Sequence, residues 1–240
     1  MPKTDFSIIV PVYNEAKRIP RSIDQIFNFF NSCGDAVEVI FVNDGSTDDT
    51  EKVLESYQGK HDFKIIKYGK NRGKGYAVRQ GTLGASGRWI IFFDIDLAVP
   101  LSEFQHFKSF VSDGDQIVIG SRRMTDSRIN KREHWLREFL GAGFSALSRV
   151  FVREVADFTC GFKCFSREAA AEIFPIARIN RWAFDTELLY VAKLKRIPIR
   201  QMPVEWSHDD DSKVRAARDI VISLKELMQI KINQLRGFYK

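Results

Sequence analysis

"RWIIFFDIDLAVP", residues 88–100, reads as a buried strand that ends in charge. Five apolar or aromatic residues, Trp89 to Phe93, run into Asp94, Ile95 and Asp96, and the chain then turns towards Pro100. Side chains alternate along a strand, so residues two apart point the same way. Two carboxylates that close repel unless a cation lies beside them. Mg²⁺ or Mn²⁺, hard ions held by one or two carboxylates plus substrate phosphates, would meet that need. Asp-x-Asp alone also fits a pair of turn or helix-capping aspartates, so its neighbours must decide.

Working outward, the first half alternates. "FSIIVPVY" (6–13), "VEVIFVND" (37–44) and "FKIIKY" (63–68) read as strands. Between them, residues 15–30 place Ile19, Ile23, Ile26, Phe27 and Phe30 on one helical face, and "STDDTEKVLESYQ" (46–58) is a helix opened by Ser, Thr and Asp. "GKGYAVRQGTLGAS" (73–86) is a helix entered through glycines. Strands separated by such helices pair in parallel through right-handed crossovers. Ligands then bind at the strands' carboxyl ends. Every strand of this half ends in polar residues: "PVYNE" (11–15), "NDGSTD" (43–48), "GKNRGKG" (69–75) and "DID" (94–96).

The second half is less regular. "LSEFQHFKSFV" (101–111) reads as a helix and "DQIVIGSRR" (115–123) as a strand, followed by a basic stretch, 122–137. Residues 136–151 carry an apolar helical stripe of Leu140, Phe144, Leu147 and Phe151. "DFTCGFKCFSREAAAEIF" (157–174) reads as a turn, a short strand and a helix; "WAFDTELLYVAKLK" (182–195) as a helix; and "IPIRQMPVEWS" (197–207) as one strand. The tail from Ser212 is a long amphipathic helix with seven basic and two acidic residues.

Bulk properties set the frame. The 240 residues are 44% hydrophobic with 20 Phe, enough for a sizeable core, and the expectation is one domain spanning 1–240. Within it, residues 1–105 form the donor-binding half, 106–212 the acceptor half and 213–240 the amphipathic helix. A net charge of +6 suits an anionic partner, but it is spread out and no aromatic-basic motif accompanies it, so nucleic acid is not expected. Three cysteines, an odd number, fit a reducing compartment, and nothing near Cys160 and Cys164 completes a zinc site. The first fifteen residues show no leader pattern, and "FLGAGFSALS" (139–148) is about half the roughly 20 apolar residues that a spanning helix needs. The expectation is a cytoplasmic protein, peripheral at the cytoplasmic face of a membrane.

Each polar cluster has a chemical and a bland reading. Asp44 leaves a strand end, where a carboxylate can accept from a base N–H or a ribose hydroxyl; an ordinary N-cap explains Ser46 or Thr47 but not Asp44. Arg72 and Lys74 stand among glycines at a helix N-terminus, a favourable place for phosphate or simply a basic surface turn. Pro11 and Tyr13 could stack on a base, with Glu15 at its polar edge.

In their order and spacing, PVYNE, NDGSTD, NRGKGYA and DID resemble the family 2 inverting glycosyltransferases of the GT-A fold. "GSRR" (120–123), "DFTCGFKCFSREAA" (157–170), "RWAFDTELLYVA" (181–192) and "VEWSHDDDSKV" (204–214) extend the likeness to the dolichyl-phosphate β-glucosyltransferase and dolichyl-phosphate mannose synthase group. That resemblance implies a Rossmann-like α/β fold, a mostly parallel sheet flanked by helices. It implies a nucleotide-sugar donor held by Pro11, Tyr13, Glu15, Asp44, Lys74, Ile95 and a mobile basic segment at Ser212 and Lys213. Asp94 and Asp96 would hold the metal, and Arg122 and Arg137 the acceptor phosphate. A glutamine used by the mannose synthases is replaced here by Ala98, which points to the glucosyl branch and UDP-glucose. GDP-mannose, UDP-N-acetylglucosamine and a catalytically silent nucleotide-sugar-binding protein stay as alternatives.

A polyprenyl phosphate carries about −1.5 to −2 charge near neutral pH, so its oxygen needs little help from a base. Asp185, the residue a sugar-hydroxyl acceptor would demand as base, then serves to orient the acceptor arginines or the sugar. A phosphohydrolase would want the two aspartates after the first strand, not the fourth. In the tail, Val221, Leu224, Met228, Ile232 and Leu235 form one stripe, fit for an anionic membrane surface, for packing on the domain, or for a homodimer contact.

Overall fold

A computed structural model describes residues 4–131, 135–208 and 216–240, with only the backbone of 135–137, 139 and 216–220. Within them the chain alternates as the hydrophobic periods require. The elements are β1 (Phe6–Val12), α1 (Ile19–Ser32), β2 (Val37–Asn43), α2 (Thr50–Tyr57), β3 (Lys64–Lys67), α3 (Lys74–Leu83) and β4 (Trp89–Phe92). They continue with α4 (Glu103–Phe110), β5 (Ile117–Ser121), β6 (Arg128–Lys131), α5 (Trp135–Ser148), β7 (Lys163–Ser166), α6 (Arg167–Ile173) and α7 (Phe184–Leu194). The last are β8 (Ile199–Pro203), β9 (Glu205–Ser207) and α8 (Ala216–Leu235).

Seven strands form one sheet in the order β3-β2-β1-β4-β7-β5-β8, so both halves of the chain contribute to it. All neighbours are parallel except β7, which runs antiparallel to β4 and β5. Both faces are buried, which is why the strands read as continuous apolar runs. Ile9, Ile40, Val42, Ile90 and Phe92 face α3, α6, α7 and α8. Ile8, Val10, Phe41, Ile91 and Phe93 face α1, α2 and α4. The expected face of α1 packs as read: Ile19, Ile23, Ile26, Phe27 and Phe30 are all buried.

Several local readings change. Residues 197–207 are not one strand: β8 belongs to the main sheet, while β9 leaves it to pair in parallel with β6. The basic stretch after β5 is therefore not all loop. β4 ends at Phe92, so Asp94 and Asp96 lie in a turn, and strand alternation is not what brings them together. The turn itself does so, with Leu97 at φ 52° and its amide donating to the Asp94 carbonyl.

Candidate functional site

The parallel strands bring the ends of β1, β2, β4 and β5 to one edge of the sheet. β7 is reversed, so its beginning joins the same edge, with Lys163 opposite Phe92. That reversal adds a residue the sequence reading missed.

At the centre is the turn after β4. Asp94 Oδ1 lies 2.5 Å from Lys74 Nζ, the first residue of α3. Its other oxygen faces Gly161, where an added Cβ would come within 2.3 Å of it. Asp96 Oδ1 accepts from the Ala98 amide at 3.0 Å. Burial first, then the charge of Asp94, pushes the Asp96 carboxyl up to about 6, against the Ala98 amide, Lys74 and Arg18. Ile95, between them, is buried and anchors the turn. Lys74 feels opposite pulls: burial disfavours its charge, but Asp94, Asp185 and Asp96 together raise its pKa above the ordinary value.

A second ion pair lies beneath. Lys163 is fully buried, with Nζ 2.7 Å from Asp185 Oδ1. It also donates to the Cys160 carbonyl at 2.6 Å and sits 5.6 Å from the Phe92 ring centroid. Burial pushes the Asp185 carboxyl up, and Lys163 and Lys74 work against it. A lysine inside the apolar run "GFKCF" was the available signal, since a buried charge demands a partner.

The donor-side loops are stitched together. Asn14, at φ 55°, accepts on Oδ1 from the Thr47 amide at 2.7 Å, and its own amide donates to Ser46 Oγ at 2.9 Å. The Glu15 amide donates to Thr50 Oγ1 at 2.7 Å. The hydroxyls of "NDGSTD" therefore serve the PVYNE turn rather than cap α2. Tyr13 is 39% exposed, and Glu15 is ion-paired with Arg18 at 2.7 Å. Pro11 is half-buried in β1, opposite Val42.

Asp44, expected at the donor site, is fully engaged by its own chain. It is buried, and its carboxylate accepts from Tyr68 Oη (2.8 Å), Asn71 Nδ2 (2.7 Å), the Arg72 amide (2.8 Å) and the Gly73 amide (2.9 Å). Four donors use the four lone-pair directions of a carboxylate, so Asp44 holds the 68–73 turn. Two turn amides that a phosphate would want are thereby occupied. Gly73 is at φ 106°, and a Cβ there would strike the Asn180 carbonyl, so only glycine fits this entry to α3. The cations left at the helix start are Lys74 and Arg72, the latter 4.6 Å from the Tyr76 ring centroid.

At the end of β5, Arg122 is clamped. Its Nε and Nη2 donate to the two oxygens of Asp157 at 2.7 and 2.9 Å, and Nη2 also donates to Thr159 Oγ1 at 2.6 Å. The Trp206 ring centroid lies 5.3 Å from the guanidinium. Burial pushes the Asp157 carboxyl up, but Arg122 outweighs it and holds the group well below the usual range. Asp157 and Thr159, which the sequence reading did not single out, hold the Arg122 side chain in place. The backbone of Arg137 is in the first turn of α5, its side chain lies outside the described residues, and so do Ser212 and Lys213.

From the opposite side, Glu226 of α8 accepts from the amides of Arg181 (3.1 Å), Trp182 (2.9 Å) and Ala183 (3.0 Å), just before the helix that carries Asp185. Buried Glu187 accepts from the amides of Arg178 and Ile179 and from Tyr239 Oη near the C-terminus. Among the described residues, no group of three or more His, Cys, Asp or Glu converges as a metal cage.

The strand order, the two helical layers and the acidic turn at the sheet edge define a GT-A-type glycosyltransferase. Solved structures agree on the fold. Glucosyl-3-phosphoglycerate synthase from Mycobacterium tuberculosis, in complex with Mn²⁺, UDP and glucosyl-3-phosphoglycerate, matches with a TM-score of 0.66 at 19% identity, over 94% of this chain and 80% of that one. The mannosyltransferase PcManGT from Pyrobaculum calidifontis, with GDP-Man and Mn²⁺, matches with a TM-score of 0.61 at 18% identity, over 98% of this chain and 66% of that one. The family profile "Glycosyl transferase family 2" matches residues 7–174, and the chain belongs to that family. Within it, the chain is 35% identical to the dolichyl-phosphate β-glucosyltransferase of Dictyostelium discoideum, over 98% of this chain and 76% of that protein. Its identity to the Mus musculus protein of the same name is also 35%, over 100% of this chain and 78% of that protein.

Proposed function

We propose that this glycosyltransferase moves glucose from UDP-glucose to the phosphate of dolichol or a related polyprenol, with inversion, at the cytoplasmic face of a membrane. One arrangement carries the reading: the Asp94–Asp96 turn with Lys74, and the clamped Arg122, stand along one sheet edge with only β7 between β4 and β5. It answers the chemical problem of bringing two anionic groups together. The names of the full-length relatives support the sugar and the lipid. The UDP and Mn²⁺ named for the neighbouring fold support the nucleotide and the metal.

The residues fit a divalent ion. Asp96 is raised in part by the charge of Asp94, a repulsion that a cation would relieve, and two carboxylates leave coordination places for diphosphate oxygens. When bound, Mg²⁺ or Mn²⁺ would neutralise charge on the leaving diphosphate. The protein's own groups do the rest. Tyr13 stacks on the base and Pro11 supports it, while Glu15, steadied by Arg18, meets its polar edge. Asp44 holds the turn that delivers Lys74 to the diphosphate. Arg122, joined by Arg137, binds the acceptor phosphate, and Asp157 keeps the guanidinium aimed. Asp185, neutralised by Lys163, orients the sugar. Ser212 and Lys213 close on the donor.

The acceptor phosphate oxygen attacks the anomeric carbon from the face opposite the nucleotide. The C1–O bond to the diphosphate breaks, and its electron pair leaves with UDP. No proton has to move, because the attacking oxygen is already an anion. An α-linked donor then gives a β-linked lipid. The test is a product assay with Mg²⁺ or Mn²⁺, a polyprenyl phosphate and, in turn, UDP-glucose, UDP-N-acetylglucosamine and GDP-mannose, with the lipid identified by mass. A glucosyl lipid that Asp96→Ala abolishes is the expected result. A product from another donor would overturn the sugar, and binding of UDP-glucose without turnover would favour the silent binding protein.

A further inference from the structure

The chain leaves the main sheet after Pro203 and adds the three-residue strand β9, which is tied to the site at each of its residues. The Glu205 amide donates to Glu103 Oε1 at 3.0 Å, and Glu103 is a buried carboxylate in the first turn of α4, just beyond the acidic turn. The Ser207 amide donates to the Ala98 carbonyl at 2.8 Å. Ala98 is also the residue whose amide donates to Asp96 Oδ1 at 3.0 Å. Between these two, Trp206 points to the other face of the strand. It is buried there, and the Arg122 guanidinium lies over its ring, 5.3 Å from the centroid.

Core packing accounts for the burial of Trp206, which shares an apolar cluster with Val99 and Val204, but not for the charge above it. A ring face attracts a guanidinium, and an aliphatic side chain does not. Asp157 fixes Arg122 through two hydrogen bonds, and the ring holds it from a second direction. The segment that leaves Arg122 also returns to β9. Ser127 Oγ donates to the Ser121 carbonyl at 2.6 Å, and the Arg128 amide, at the start of β6, donates to the Val204 carbonyl at 3.1 Å. Through the main sheet, β4 and β5 stand two strand spacings apart, about 10 Å, because β7 lies between them. Beyond the strand ends, that gap is bridged by direct contacts alone: Arg122 to Trp206, Ser207 to Ala98, Ala98 to Asp96.

We infer that β9 is a strut that sets the spacing between the acceptor arginine and the metal turn, with Trp206 the positioning residue for Arg122 and the Ser207 amide the positioning group for Asp96. The inference rests on the proposed roles of Arg122 and Asp96. Both groups of β9 act through the residue they hold. What they set is the distance between two anions, and reaction between held groups loses rate steeply when one is misplaced. The rate therefore responds even when both sites are filled.

The full chain is titrated by calorimetry with two probes, a short water-soluble prenyl phosphate and UDP with Mn²⁺. Turnover is measured with UDP-glucose and the prenyl phosphate, both saturating. Trp206→Leu keeps an apolar side chain but loses the ring face. Its binding of prenyl phosphate should weaken about fivefold and its kcat fall about tenfold or more, with binding of UDP and Mn²⁺ within about twofold of wild type. Trp206→Phe keeps a ring and should recover most of both losses. Ser207→Pro deletes the amide that holds Ala98, while the bond from the His208 amide to the Lys131 carbonyl keeps β9 on β6. Its binding of UDP and Mn²⁺ should weaken about fivefold, and its kcat should fall as well. Melting curves check that each variant is folded. Equal kcat for Trp206→Leu and Trp206→Phe would overturn the role of the ring. A loss of affinity with kcat intact at saturation, in Trp206→Leu or Ser207→Pro, would overturn the strut. Wild type that binds UDP and Mn²⁺ but neither binds nor glycosylates the prenyl phosphate would sink the proposed acceptor, and the role of Trp206 with it.

Discussion

Gly161→Ala tests the acidic turn without touching either aspartate. The new Cβ would stand 2.3 Å from Asp94 Oδ2, against an ordinary C···O contact of about 3.3 Å. Something must therefore move by about 1 Å. Asp94 is held on its other oxygen by Lys74, so the carboxylate cannot simply swing away. The backbone has little room either, because Phe162 is fully buried and packs edge-on against Phe93, ring centroids 5.0 Å apart. Gly161 is not among the glycines at positive φ, so alanine brings no backbone strain of its own. A displacement of about 1 Å at a reacting centre costs about 100-fold in rate, or about 2.7 kcal/mol of barrier. The assay is the initial rate of glycosyl-lipid formation against Mn²⁺ concentration, with thermal melting alongside. The expected variant is folded, about 100-fold lower in kcat/KM, and in need of more metal. A folded variant within threefold of wild type at every metal concentration would refute the placement of Asp94 and its part in metal binding.

The other predictions concern the supports. Asp157→Ala leaves the Arg122 guanidinium without its bidentate partner; it should cost about 3 kcal/mol of stability in denaturant unfolding and raise KM for the lipid acceptor more than for the donor. Lys163→Met leaves Asp185 buried without its cation, and about 3–5 kcal/mol should be lost in the same measurement. Glu226→Ala removes the acceptor for three amides ahead of α7; a loss of about 1–2 kcal/mol with reduced kcat is expected, and Glu226→Gln should recover most of it. Glu38 supplies a pH dependence. Burial pushes its carboxyl up, but hydrogen bonds from Lys64, Ser7 and Ser86 outweigh that and hold it at about 2, below its ordinary 4.5. Its contribution is therefore full above pH 4.5 and is lost as pH falls towards 2, so the stabilities of wild type and Glu38→Gln should converge over that window.

The legible parts were those written in short periods. The apolar runs of β1, β2 and β4, the 3.6-residue face of α1 and the polar strand ends could all be read locally, and all four polar clusters do meet at one edge. Lys163 could not be placed in that way, because its strand runs against its neighbours. The rule that sites form at carboxyl ends says nothing about a strand that enters from the other end. Asp44 was found for its position, but its four partners, Tyr68, Asn71 and the amides of Arg72 and Gly73, lie 24 to 29 residues away, beyond any local pattern.

The sequence alone therefore determined the alternation of strands and helices, and which residues would stand at the strand ends. It also named the family, because four motifs in one order rarely occur together by chance. Only the tertiary structure decided the pairs: Lys74 with Asp94, Lys163 with Asp185, Arg122 with Asp157. It also decided that the stripe of α8 points outward. Side-chain periods say which residues share a face, whereas strand order and helix packing decide what that face meets.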